Sequence, residues 1–81
     1  MATTRDELTA ALAEHVGVPA LTPAEIESCL ELAGAAAHGA ADRTAAPLAS
    51  FLAGIAAAGS ADRRETLERI RSLIVELTPA G

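Results

Sequence analysis

The sequence contains no Trp, no Tyr and no Lys, and only one Phe and one Cys among its 81 residues. With a single aromatic side chain it lacks the stacking platforms that hold single-stranded nucleic acid. Its six cationic residues are all Arg and are outnumbered by eleven carboxylates. The resulting net charge of -5 repels phosphate backbones and anionic membrane surfaces. We therefore expect neither nucleic acid nor a membrane as partner. A lone Cys29 excludes an intrachain disulfide and a Cys-rich zinc site, and we expect a cytoplasmic protein.

The residues that are present favour a small helical domain. Half of the chain is hydrophobic (51%), but 21 of those residues are Ala, which bury little area each. The most apolar stretch, 45–58, is too short to cross a bilayer. No strand-like alternation and no internal repeat is present. The sequence predicts one domain over residues 1–81, an all-α four-helix bundle with antiparallel neighbours and short loops.

Two capping boxes mark the first two helices. Thr4 is followed by Glu7, and Thr22 by Pro23 and Glu25, so that each Thr and Glu satisfies a free backbone amide of the other. We predict helices over approximately 5–16 and 23–38, the second ending at Gly39.

The third and fourth helices are predicted over 47–58, starting at Pro47, and 61–77, capped by Ser60. The third carries a bulky apolar stripe with small residues behind it, so we expect it to be central and the most buried. The fourth has an apolar core face opposite a charged one. The residues of the bulky stripe are Leu48, Phe51, Leu52 and Ile55, and those of the core face are Leu67, Ile70, Leu73, Ile74 and Leu77.

One segment between the second and third helices concentrates polar residues: His38, Asp42, Arg43 and Thr44. Arg43 offers a bidentate donor fork, His38 can donate, and the start of the third helix presents free amides, which together would suit a phosphate or carboxylate. The alternative is structural, with Asp42 and Arg43 fixing a helix corner and Arg43 bonding the last carbonyls of the second helix or pairing with a Glu. Both interpretations stay open.

Other chemistries find less support in the sequence. Cys29 lies on the apolar stripe of the second helix and is predicted to be a core residue. His15, Cys29 and His38 lack the spacing of metal ligands, so no metal site is predicted. An acyl carrier would need its attachment serine at the start of the second helix, whereas Ser28 lies within it.

Five short segments resemble a known family: LELA at 30–33, AH at 37–38, DR at 42–43, APL at 46–48 and FLAG at 51–54. They are similar to the DUF6457 domain, a small actinobacterial family of unknown function whose members occur alone or joined to a molybdenum cofactor guanylyltransferase. The resemblance implies an accessory module in molybdenum cofactor maturation. It also implies a molybdopterin-nucleotide ligand for the anion site and a molybdenum cofactor enzyme as partner.

Three functional hypotheses follow. The first is a non-enzymatic accessory domain that binds a partner protein or an anionic cofactor through His38, Asp42, Arg43 and the start of the third helix; no cofactor of its own is expected. The second is a structural homodimerisation module, its seam formed by the small-residue face of the third helix and the Leu/Ile face of the fourth. The third is a small enzyme with His38 as base; it is the one we do not expect, because the chain offers few reactive side chains.

Overall fold

The computed structural model describes residues 3–78, and within them the backbone forms four α-helices and no strand. These are α1 (Arg5–Val16), α2 (Pro23–Ala40), α3 (Ala45–Ala58) and α4 (Arg63–Leu77). Both predicted capping boxes are present: the Thr4 and Thr22 hydroxyls accept from the amides of Glu7 and Glu25 at 3.1 Å each. The predicted all-α four-helix bundle is confirmed.

Three helix ends differ from the predicted ones. α2 continues through Gly39 to Ala40, because the chain leaves the helix only at Ala41, whose φ of 55° lies in the left-handed region. α3 starts at Ala45 instead of Pro47, since the amide of Ala45 already bonds the carbonyl of Asp42 at 3.0 Å.

α4 starts at Arg63 instead of residue 61. Its cap is Asp62, whose carboxylate accepts from the Glu65 amide at 3.1 Å, whereas the predicted cap, Ser60, lies in the turn after α3. An Asp at this position also carries negative charge to the positive end of the helix dipole, which Ser does not.

The core lies between α2, α3 and α4, and α2 packs against both of the others. Leu32 of α2 is completely buried and contacts a cluster that includes Ala53 and Ala57 of α3 and Leu67 of α4. The central helix is therefore α2, and the prediction that the third helix is the most buried was wrong. Small residues of α3 face α2 because they let the two backbones approach closely around Leu32.

α1 stands at the edge of the bundle. No Cα atom of α1 comes within 8 Å of a Cα atom in another helix, and Ala13 is its only buried residue. Leu8, Leu12 and Val16 form its apolar stripe and are 52–67% exposed. Among residues 3–78, no helix combines the length and the apolar character needed to span a bilayer.

Candidate functional site

The predicted polar segment forms the corner between α2 and α3. One oxygen of Asp42 accepts from the Thr44 amide at 2.9 Å and from the Thr44 hydroxyl at 2.6 Å. These hydrogen bonds, the hydroxyl's first, hold the pKa of Asp42 below its ordinary value, so the carboxylate stays ionised. The structure therefore brings Asp42 and Thr44 together in a tight turn.

His38 and Arg43 lie at the same corner with exposed side chains. Within residues 3–78 neither side chain makes a hydrogen bond or ion pair, so Arg43 pairs with neither Glu27 nor Glu31 in this part of the chain. The last carbonyls of α2 are bonded instead by backbone amides, at 3.3 Å from Ala41 and 3.2 Å from Asp42.

The backbone amides at the start of α3 also donate hydrogen bonds within the chain. Those of Ala45 and Ala46 bond the carbonyls of Asp42 and Arg43 at 3.0 and 3.2 Å, that of Thr44 bonds the Asp42 side chain, and Pro47 has none. An anion at this corner would therefore lack the helix amides expected from the sequence, and the exposed side chains of Arg43 and His38 are the remaining candidate donors. The anion site stays a prediction.

A second polar contact, which sequence reasoning missed, joins the starts of α2 and α4. Arg63 donates to both oxygens of Glu25, at 2.6 Å from Nε and 2.7 Å from Nη2. The Thr22 amide also donates to Glu25, at 2.8 Å. The guanidinium, followed by that amide, holds the pKa of the buried Glu25 carboxyl below its ordinary value. The capping box was visible in the sequence, but nothing in the sequence relates positions 25 and 63.

This ion pair borders an apolar cleft of about 260 Å³ between α2, α3, α4 and the loop before α2. Cys29 packs against the core but is only half-buried and lines the cleft, whereas it was predicted to be a buried core residue. Gly54 leaves it open on the α3 side, where an added Cβ would meet no atom within 4 Å. In the described part of the chain no three His, Cys, Asp or Glu side chains gather as a metal site needs.

The largest departure from expectation is the far side of α3, which we call the outer α3 face: Leu48, Phe51, Leu52 and Ile55. These side chains are 65, 70, 67 and 59% exposed. They were predicted to be core, but the side of α3 that packs on the bundle is the one with small residues. The helix therefore has a small buried side and a bulky exposed side.

The surface predicted for a homodimer interface also differs from the structure, because it is buried within the chain. It combined the small-residue face of α3 with the Leu/Ile face of α4, and the structure packs these two faces together inside one chain. Ala53 and Leu67 are buried, and Ile70 and Ile74 contact the same cluster, so this surface is not available to a partner. On α4 only Leu73 and Leu77 of the predicted core face are exposed, at 48 and 71%.

Comparison with known proteins yields a family without a described activity. No curated protein and no solved structure matched the chain. The model of one family, described as a domain of unknown function, matches residues 2–80, nearly the whole chain. The protein belongs to the DUF6457 family.

Proposed function

We propose that the protein is a non-enzymatic interaction module that binds another protein surface through the outer α3 face. The observation that carries the proposal is the exposure of four large apolar side chains, each by about three fifths or more, on one side of one helix. Contiguous exposed apolar patches of this kind mark interaction sites in folded proteins.

The free energy gained by burying the outer α3 face supports its role as a binding surface. Full burial of a Leu, Ile or Phe side chain contributes about 1.5–3 kcal/mol, so completing the burial of these four contributes about 4–8 kcal/mol. Association costs about 4–15 kcal/mol in lost translational and rotational freedom. The outer α3 face thus has the strength of an interface centre, to which flanking contacts would add.

The polar groups of the chain fit a binding role better than a catalytic one. Both oxygens of Glu25 accept hydrogen bonds from Arg63 and Thr22, and Asp42 is engaged by Thr44. A general base needs a free lone pair directed at its substrate, whereas both oxygens of Glu25 and one oxygen of Asp42 accept hydrogen bonds that stabilise the fold.

Site-specific photocrosslinking tests the proposal. A photoreactive phenylalanine analogue replaces Phe51 in cells that make the protein, and the same analogue replaces Val75 on α4, an apolar residue 54% exposed outside the outer α3 face. We expect a discrete crosslinked protein species from position 51 and none from position 75. Equal background from both positions would refute the proposal.

A role in molybdenum cofactor maturation, which the family resemblance implies, is a second candidate. The observation that favours it is the pair of exposed side chains of His38 and Arg43 at one corner, without protein partners in the described part of the chain. Titration with a guanine nucleotide or molybdopterin tests it. Binding that Arg43→Ala abolishes and Arg69→Ala, on the exposed side of α4, leaves unchanged would support it; equal affinity in both variants would contradict it.

A further inference from the structure

The chain exposes more surface than a closed monomer of its size. Its accessible surface is 5967 Å² for a mass of 8.2 kDa, whereas a compact monomer of that mass exposes about 4,500 Å². Its radius of gyration is 13.3 Å, against about 12 Å for a compact chain of this length. The excess, roughly 1,000 Å² or more, includes the exposed stripe of α1 as well as the outer α3 face, and it exceeds the ~800 Å² per partner that a stable interface buries.

The charges around the outer α3 face do not select an acidic or a basic partner. The helix from Ala45 to Ala58 carries no charged residue. The segments before and after it carry both signs: Asp42 with Arg43, and Asp62 with Arg63 and Arg64. Although two copies with a net charge of -5 repel one another overall, this uncharged helix is where they can approach without like charges meeting.

The spacing of the bulky residues is self-complementary. Leu48, Phe51, Leu52 and Ile55 occupy positions i, i+3, i+4 and i+7, the pattern of a helix that packs against a second helix. If two copies of α3 pair antiparallel about a two-fold axis near Phe51 and Leu52, Leu48 meets Ile55 of the second copy at each end. A parallel pair would place identical charged segments side by side and align the helix dipoles unfavourably.

We infer that the partner of the outer α3 face is a second copy of this chain, and that the two α3 helices pair antiparallel across a two-fold axis. This inference rests on the proposed function and deepens it. The four side chains supply about 100 Å² each, roughly half of a standard interface on each copy. Residues flanking the face would supply the rest.

Sedimentation equilibrium of the full chain from 1 to 500 µM tests the pairing. The wild-type mass should rise from 8.2 kDa toward twice that value. Phe51→Ser should weaken dimerisation by at least tenfold, while Val75→Ser should leave the dissociation constant within about twofold. Because Phe51 is 70% exposed, the variant keeps the helical circular dichroism of the wild type.

Cysteine pairing tests the orientation. In a Cys29→Ser background, Leu48→Cys and Ile55→Cys chains mixed under mild oxidation should form mixed disulfide dimers in preference to dimers of either chain alone. Seven helical residues separate the two positions along the axis, about 10 Å, so an antiparallel pair brings only the mixed combination within disulfide reach. Dimers of Leu48→Cys chains alone would overturn the antiparallel arrangement.

Failure of this inference differs from failure of the proposed function. A wild-type chain that stays monomeric at 500 µM, or a dissociation constant that Phe51→Ser leaves unchanged, overturns self-pairing. If the photoreactive analogue at position 51 then captures a different protein, the interaction module stands with another partner. If it captures nothing, both ideas fail.

Discussion

The Glu25–Arg63 pair joins the start of α2 to the start of α4. Replacing one carboxylate oxygen of Glu25 by an amide nitrogen tests how much this pair contributes to the stability of the fold. Glu25→Gln keeps the shape of the side chain and its hydrogen bond from the Thr22 amide, but removes the charge that Arg63 binds at 2.6 and 2.7 Å. Glu7→Gln is a matched control, because Glu7 occupies the same place in the capping box of α1 with Thr4 and has no Arg partner.

The expected cost of Glu25→Gln follows from burial. Glu25 is only 7% exposed, while the Arg63 side chain is 30% exposed. Removing one partner of a fully buried pair costs about 3–5 kcal/mol, and the partial hydration left to Arg63 reduces this to about 2–3 kcal/mol. In a chain of this length such a loss lowers the Tm by roughly 10–20 °C. We expect Glu7→Gln to have a much smaller effect.

The same pair predicts a pH dependence. The pKa of Glu25 is lowered in the folded state, first by Arg63 and then by the Thr22 amide. Its stabilisation is therefore complete above the unfolded-state pKa, near 4.5, and is lost as pH falls through the lower folded-state value. The stability difference between wild type and Glu25→Gln should accordingly shrink below about pH 4.5.

Urea denaturation followed by helical circular dichroism at several pH values measures these quantities. All chains should carry Phe51→Ser, so that association does not add to the stability of the fold. A Glu25→Gln cost no larger than that of Glu7→Gln, or a difference that is constant between pH 3 and 7, would refute the reasoning.

Two further pairs of substitutions can be read in the same assay. Ala41→Gly should stabilise the chain by about 0.5–1 kcal/mol, because Ala41 ends α2 with a φ of 55° that Gly adopts without strain. Gly17→Ala, at a φ of 74° after α1, should destabilise it by a similar amount, and the same sign for both would contradict this account. Leu32→Ala should cost about 2–5 kcal/mol because Leu32 is completely buried. Leu48→Ala should cost the monomer under about 1 kcal/mol because Leu48 is 65% exposed, and equal costs would show that the outer α3 face is not exposed in solution.

Local features of the fold were predictable because the interactions that create them span four residues or fewer. The two capping boxes and the start of α2 at Pro23 are of this kind. Two of the three helix ends that were missed involve residues with two common roles: Gly39 can end a helix or lie within one, and Pro47 fits several positions of a first turn. The turn at Asp42 and Thr44 decided the second case, and its hydrogen bonds are side-chain geometry that a sequence pattern does not fix.

Features that depend on packing were not predictable in the same way. α3 has small or apolar residues nearly all round, so hydrophobicity could not choose its buried face, and the expectation that this helix is the most buried was wrong. The structure buries Ala53 and Ala57 because a close approach of α2 and α3 around Leu32 leaves no room for larger side chains. The Glu25–Arg63 contact spans 38 residues, and only the packing of α2 on α4 creates it.

The small core and the exposed outer α3 face connect the stability of this chain to its binding. A core built around one fully buried Leu and several Ala residues gives little hydrophobic stabilisation, and a domain near 80 residues has little other surface to bury. Four of the larger apolar side chains lie instead on the outer α3 face, where a partner can bury them. Because a partner that binds only the folded state stabilises it, association through this face would supply stabilisation that the isolated chain lacks. If two chains pair as inferred, the bulky residues of α3 would form a hydrophobic core that the two chains complete together.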